Sequence, residues 1–593
     1  MSEKDKTSPP HHSMKWIFVV ILWLLALYAA LLIVRNTEKD LETPALASRP
    51  PVVLPVKHKG VCKSPECITL AHQLHNWRDI SVDPCQDFYK AACGKYNEHT
   101  LVDGTRIDKN TLMLIQLVGE YLRQKPSFTS KSENSMKVFF DKCEEAQKMN
   151  QTTLDLEGKR ETLEVMKQLG SWPMLTENWD ESEFHLNDAL TNMARIGKTD
   201  FGFFKIEKNP LRIDFQTGNG NIQIEDVEQT LVEFLKFNEI KIDLNSTNDD
   251  VEKLITFLND WLGNCFLWLR VYARNYYDKE NLKEASDMVD DFQESLIETF
   301  LESTWLQDST KMRAIRKVEL MTKMIGYPKE MEVPGALDSF YESLNLSPTD
   351  SYLSTVFKTM KFKSEQYFDW AAGFNPFPKG FDDAYAGARA FYSMRGNKLT
   401  LAVPFIDDPF FDSTFPKYVK VAGIGEVIGH EMGHGFDVQG KNYDEKGEVN
   451  DWWTPEDSAE YDRRTQCLID NFHSYDDPDF GRKLNGTYTV GEHAADVIGV
   501  KLSLKSYNKV DFDNEPSIFG FEDEKPDKLF FHLTALNWCS PRDRTPLDLQ
   551  LTRVHPTSSF RVNGIFSNMK EFAEAFSCPV GSPMNPEKKC ELF

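Results

Sequence analysis

In the segment His430-Glu431-Met432-Gly433-His434, two imidazoles and a carboxylate are spaced so that a helix turns them into chemistry. On a helix, His430 and His434 project from one face, and two neutral ring nitrogens can meet one tetrahedral ion. Glu431 falls on the adjacent face, too close in sequence for a convenient third ligand but placed to touch a water that the ion activates. Zinc lowers the pKa of such a water toward about 7, and a carboxylate can then take its proton as the water attacks a carbonyl. The chemistry this spacing points to is peptide hydrolysis without a covalent enzyme intermediate, with one zinc ion as cofactor.

Two His and one Glu at this spacing also occur on solvated helices, so the surroundings matter. Here they are apolar, VIGHEMGHGF, and a buried His pair without a ligand must find other hydrogen-bond partners. A third ligand has to come from elsewhere. Glu492, in VGEHAADVIG, lies 58 residues after His434 and opens a second helix-like stretch, with Asp496 one turn later. His493 is the alternative ligand and ranks below Glu492. Metal-bound imidazoles commonly donate their other N–H to a carboxylate, and Asp437 and Asp496 suit that role. For Asp437, helix capping or plain surface charge is the competing reading.

These groups need elements to hold them. The apolar, glycine-punctuated run from Tyr418 to Phe436 suits one buried helix. Before it, Leu399, Leu401 and Val403 alternate with Lys398, Thr400 and Ala402, which predicts a strand that Pro404 ends. Elsewhere helical periodicity dominates: Leu282, Ala285, Val289, Phe292, Leu296 and Phe300 recur every three or four residues, a stripe for core packing. Residues 511–528 read as an acidic loop, and no internal repeat is apparent.

At 593 residues, with 41% hydrophobic and 12% aromatic residues, the chain has material for two to four domains. A net charge of -24 excludes a duplex nucleic acid as an expected partner, because phosphate binding needs a basic surface. Nineteen residues from Trp16 to Val34 carry no charge; as a helix they span roughly 28 Å, close to a bilayer core. The alternative is a cleavable signal peptide, whose apolar region is usually about 7–15 residues and ends at a small-residue site. Lys4, Lys6 and Lys15 before the run and Arg35, Lys39 and Arg49 after it barely orient it. All ten cysteines follow the run, as do the Asn-x-Ser/Thr sequons at Asn150, Asn245, Asn345 and Asn485, the third weakened by Pro348. The expected topology is a single-pass anchor with its N-terminus inside and the rest extracellular. Residues 1–15 form the tail, 16–34 the anchor, and 35–61 a stalk containing Pro44, Pro50, Pro51 and Pro55.

Seven segments in order resemble the neprilysin family of membrane-anchored zinc endopeptidases, which includes the endothelin-converting enzymes. They are CKSPEC at Cys62, PCQDFYKAACG at Pro84, VIGHEMGHGFD at Val427, DWWT at Asp451, GEHAAD at Gly491, FRVNG at Phe560, and NPEKKC near the end. The resemblance implies a mainly α (α+β), two-lobed ectodomain around an internal chamber, with a helical lobe over 62–355, its N-terminal segment tied to the catalytic lobe, and a zincin-like catalytic lobe over 356–593. It implies zinc ligands His430, His434 and Glu492, with Glu431 as general base. His555 and Arg561 match positions that contact the substrate carbonyl and stabilise the oxyanion; without the resemblance His555 reads as a loop histidine. It also implies the disulfides Cys62–Cys67, Cys85–Cys578, Cys93–Cys539, Cys143–Cys265 and Cys467–Cys590. Closing loops of several hundred residues should remove roughly 4–5 kcal/mol of unfolded-chain entropy each.

The chain departs from the family pattern in four places. Arg389, before Ala390 and Phe391, stands where an Asn usually grips the substrate backbone, and Arg donates but cannot accept. Glu426 replaces an apolar residue of the pocket for the side chain after the scissile bond; either Arg389 neutralises it or it attracts a basic side chain. The GEN triplet is GEH, and Gly433 stands where a β-branched residue is common, at a helix cost of up to about 1 kcal/mol. The chain is also short between Cys143 and Cys265, so the helical lobe should be reduced, leaving either a less size-selective chamber or none. The leading expectation is a zinc endopeptidase for short extracellular peptides, with Phe410 and Trp538 near the cleft favouring an apolar side chain. The alternative is a non-catalytic surface binding or scaffolding protein on the same fold. Three protein ligands leave an open position, which disfavours a structural zinc.

Overall fold

The computed structural model describes residues 60–100, 105–169, 266–328, 335–371, 389–407, 410–542 and 545–593, with a strand pair between 204 and 215 and scattered positions besides. The expected tail, anchor and most of the stalk lie outside these residues, as do Asn245 and Cys265. Among the described residues no helix is long and apolar enough to cross a membrane.

The chain is mainly helical. Ser64 accepts from Cys67 N and starts α1 (Pro65–Asn76), and Asp87 accepts from Lys90 N and starts α2 (Phe88–Cys93). Helices α3 (Arg106–Arg123), α4 (Lys131–Lys148) and α5 (Gln151–Leu169) follow, then the hairpin β1 (Phe204–Lys208) and β2 (Leu211–Phe215). After α6 (Phe266–Asn275) comes α7 (Glu280–Glu302), whose stripe Ala285, Val289, Phe292, Leu296 and Phe300 is buried as its spacing predicts. Then come α8 (Asp308–Glu319), β3 (Thr322–Gly326) and α9 (Tyr352–Ala371).

β4 (Ala390–Ser393) and β5 (Lys398–Ala402) form a hairpin, and β3 adds to it in parallel, giving the order β3-β5-β4. β5 is the predicted strand, ending before the 3-10 turn at Val403–Phe405. Thr400 and Ala402 are as buried as Leu399 and Leu401, so both faces of β5 are covered. Among the described residues β3 and β4 are the edge strands of this sheet.

The apolar run expected as one helix is two, α10 (Lys417–Ala422) and α11 (Ile424–Gly433), separated at Gly423, where ψ is -100°. Next come α12 (Pro455–Ser474), started by Thr454 and Pro455, and α13 (Gly486–Tyr507), started by Asn485. Glu492 therefore lies inside α13, which begins earlier than its sequence pattern suggested. The acidic stretch is irregular until α14 (Pro526–Ala535), and α15 (Ser558–Phe566) and α16 (Lys570–Phe576) complete the core.

The expected lobe boundary at 355/356 falls inside α9. Segments assigned to the helical lobe also build the site. α7 packs on α11 so closely that a Cβ on Gly425 would lie 2.7 Å from the Phe292 ring. Phe88 of α2 is fully buried among His532, Phe566, Phe572 and Phe576 at ring distances of 5.1, 5.8, 4.9 and 5.0 Å. Disulfides Cys85–Cys578 and Cys93–Cys539 fasten it there, and Cys62–Cys67 and Cys467–Cys590 are also formed. Among the described residues Cys143 has no disulfide partner.

Candidate active site

Every residue of α11 is buried, and it meets α13 along a seam of small residues. A Cβ on Gly429 would lie 2.9 Å from Gly499 Cα and O, and one on Gly433 would lie 3.0 Å from Ala495 Cα and O. This accounts for Gly433: a β-branched side chain there would meet backbone. The close approach brings Glu492 to the histidine pair. His430 Nε2 lies 3.4 Å from Glu492 Oε2, and His434 Nε2 lies 3.7 Å from Glu492 Oε1. The three ligand atoms all fall within 4.8 Å of one another.

The other ring nitrogens are fixed. His430 Nδ1 lies 2.7 Å from Asp496 Oδ1, and His434 Nδ1 lies 2.7 Å from Asp437 Oδ2. Each Nδ1–H donates to its carboxylate, which leaves both Nε2 lone pairs turned toward the Glu492 side. Asp437 is itself held by backbone N–H groups of Gln439 and Gly440 at 2.7 and 2.6 Å. His434 caps the end of α11, so its position depends on this loop as well as on the helix.

The donor set fits zinc. Glu492 Oε2 is buried and accepts no hydrogen bond. The electrostatics also call for a cation: against burial, Asp496 and Glu492 push the His430 pKa up to about 10. Against its own burial, His430, His434 and His555 pull Glu492 down to about 2. Two neutral imidazoles and one carboxylate would leave a fourth tetrahedral position open. Glu431, beside His430, is 6% exposed, and burial raises its pKa, which suits a base that works near neutrality.

Arg561 projects from α15 into this assembly. It donates to both oxygens of Asp496, from Nε to Oδ2 at 2.9 Å and from Nη2 to Oδ1, and its guanidinium lies 3.6 Å from the Trp538 ring centroid. Asp496 thus serves His430 and Arg561 together. His555 Nε2 is 3.3 Å from Glu492 Oε2, and its side chain is 61% exposed, so it faces open space beside the ligands.

The expected substrate contacts do not all fall at the cleft. Arg389 is exposed at the start of edge strand β4, its carbonyl accepting from Ala402 N at 2.9 Å, and Ala390 opposes Leu401. Glu426 is 0% exposed and accepts from Asn537 Nδ2 at 3.2 Å; Arg389 does not pair with it. Burial, then Asp496, raises its pKa to about 7, against Arg561 and His430. Glu426 is therefore no charge presented to a substrate, because the helix turn that aims it toward the metal side also seals it under Asn537. Phe410 is 3% exposed, stacked on Phe405 at 4.9 Å with the Arg106 guanidinium 4.9 Å from its ring. It is core, not cleft. His493 is buried against Phe560, away from the ligand set.

Sequence reasoning missed Asn537 and Asp477. Asp477 Oδ2 accepts from Thr557 Oγ1 at 2.6 Å and Ser559 Oγ at 2.8 Å, fixing the turn between His555 and Arg561. Its Asp-Asp-Pro-Asp setting signals a turn, but nothing local names the segment that the turn holds. Of the sequons, Asn150, Asn345 and Asn485 are exposed.

Residues 389–592 match the profile of peptidase family M13, and residues 84–229 and 225–328 match a second profile of the same family. Neprilysin-11 of Caenorhabditis elegans is 26% identical over an alignment that covers 91% of this chain and 82% of that protein. Neprilysin-1 of the same organism is 35% identical over 54% of this chain and 43% of that protein. Among solved structures, a galactose-containing glycoprotein complex of Haemonchus shares the fold with a TM-score of 0.66 and 20% identity, covering 90% of this chain and all of that one.

Proposed function

Because this chain belongs to peptidase family M13, whose members are zinc metallopeptidases, we propose that it is a zinc endopeptidase that hydrolyses oligopeptides outside the cell. The observation that carries the reading is the set His430, His434 and Glu492 converging on one point, with Asp496 and Asp437 on the far nitrogens.

His430, His434 and Glu492 would hold the ion, which supplies a Lewis acid for the peptide carbonyl. Glu431 removes a proton from the attacking water as its oxygen bonds to the carbonyl carbon. The same carboxyl then passes that proton to the amine nitrogen as the C–N bond breaks. His555, exposed beside Glu492, donates to the developing oxyanion. Arg561, held over the Trp538 ring by Asp496, keeps its remaining N–H groups for the substrate backbone. Edge strand β4 is where an extended peptide would add to the sheet.

The uncharged run at 16–34 is proposed as the membrane anchor, and Asn150, Asn345 and Asn485, exposed in their sequons, as glycosylated positions.

Purified full chain is expected to bind one zinc ion and to cleave a broad peptide library in a chelator-sensitive way. Glu431→Gln should keep the zinc and lose roughly 10²–10⁴ in kcat. Unchanged turnover in that variant, or no cleavage by the zinc-loaded chain, would defeat the proposal. Arg389 favours a second reading, a surface binding protein without activity, since Arg cannot accept from a peptide N–H. Zinc binding with no hydrolysis of any library member would establish that reading instead.

A further inference from the structure

Lys317 of α8 is a buried cation that no part of the proposed chemistry uses. It is 0% exposed, and its ammonium donates to three backbone carbonyls: Gly435 O at 2.7 Å, Gly440 O at 2.8 Å and Tyr443 O at 2.8 Å. An ammonium has three N–H donors and no acceptor, so the three carbonyls use it completely. Burial pulls its pKa down to about 7 while Asp437, Asp444 and Glu445 pull it back up. Three acceptors facing one nitrogen require the charged form.

All three carbonyls belong to the loop that follows His434. That loop doubles back on the end of α11, so tightly that a Cβ on Gly440 would lie 1.8 Å from His434 O. It also carries Asp437, the partner of His434 Nδ1. The loop is therefore pinned at its beginning, middle and end by one side chain, and the pinned piece contains the group that aims a metal ligand. The backbone of Lys317 makes a second connection. Its carbonyl accepts from Asn397 Nδ2 at 3.0 Å, and Asn397 Oδ1 accepts from Tyr392 OH of edge strand β4 at 2.6 Å.

We propose that Lys317 is a positioning residue for the metal: through the 435–443 loop and Asp437 it holds His434 Nε2 where an ion can be bound. This rests on the reading that His430, His434 and Glu492 bind zinc. The alternative is that Lys317 merely stabilises the fold, and zinc affinity separates the two. Groups that orient metal ligands typically contribute 10–100-fold to affinity. Lys317→Met in the full chain is expected to weaken zinc binding about 10-fold or more, measured by competition with a chromogenic chelator. It is also expected to shift the visible spectrum of the cobalt(II)-substituted protein.

Lys420→Met is the control. Lys420 is also buried and donates to Ser413 O and Glu284, away from the loop. It should lower thermal stability yet leave zinc affinity within about twofold. Asp437→Asn completes the test: if Lys317 acts through Asp437, adding Lys317→Met to that variant costs little further affinity. Lys317→Gln, which keeps two donors, serves in the same measurements if the Met variant does not fold. Wild-type affinity in the folded Lys317 variant, full additivity with Asp437→Asn, or an equal loss in Lys420→Met would overturn the proposal. A wild-type chain that binds no zinc would overturn the metal reading itself.

Discussion

Glu426 shows how much a single side chain's role depends on what covers it. Its spacing from His430 placed it correctly on the metal side of α11, but spacing could not reveal Asn537, which arrives from 111 residues away and seals it. Glu426 Oε1 and Asn537 Oδ1 are both buried without partners, an arrangement that favours a proton on the acid. Burial raises Glu426 from 4.5 to about 7. In that window the folded chain holds a proton that the unfolded chain has released, so stability falls as pH rises from about 4.5 to 7 and the deficit persists above. Glu426→Gln in the metal-free chain should therefore be more stable than wild type at pH 8, by about 1–3 kcal/mol, and near wild type at pH 5. Denaturant unfolding at the two pH values tests this; an equal effect at both would show that Glu426 is not a neutral acid. The histidine pair was legible because a helix fixes its geometry within five residues. Asp496 was legible because it follows Glu492 by one turn.

At the scale of elements, the seam between α11 and α13 carries the site, and the sequence only hinted at it. Gly433 read as a helix weakness, whereas with Gly429 and Gly499 it is the condition for the two helices to touch. The break at Gly423 was illegible for a related reason, since the apolar pattern runs through it and only packing shows where the axis changes. Gly499→Ala sets two effects against each other. Helix propensity favours Ala by roughly 0.5–1 kcal/mol. The added Cβ, however, would lie 2.6 Å from His430 N and 2.7 Å from Glu426 O, backbone atoms that cannot rotate away. Overpacking of this kind costs about 1–3 kcal/mol or more and should prevail. Net destabilisation in urea is expected together with weaker zinc binding, because the displaced helix carries His430. A stabilised variant with normal affinity would mean the seam is looser than its distances say.

Across the whole molecule, segments from both sides of the expected lobe boundary at 355/356 build the core around α11 and α13, and the N-terminal segment is tied in as the resemblance implied. The place of the segment from Cys62 to Cys93 was legible only through its cysteines, whereas no length or charge pattern shows that α7 completes the core around α11 and α13, since those contacts join positions far apart in the chain. The disulfides make the point energetically. Cys93–Cys539 spans 446 residues, and the loop-entropy account gives it about 4–6 kcal/mol, against about 2 kcal/mol for Cys62–Cys67, which spans five. Paired Cys→Ser replacements should rank in that order when unfolding is followed in urea, and the reverse order would place the stabilisation in the folded state's local contacts instead.

The same long-range bonds set a timetable for biosynthesis. Ribosomes add about 5–20 residues per second, so Cys93 waits roughly 20–90 s for Cys539 to be made, while Cys62 and Cys67 appear almost together. During that interval the thiols of Cys85 and Cys93 must be kept from pairing with the nearer Cys62 and Cys67. Phe88, which ends among α14, α15 and α16, must likewise stay shielded from aggregation. The core around α11 and α13 cannot close until the segments carrying Cys539 and Cys578 have been translated, so it is among the last parts of the molecule to form.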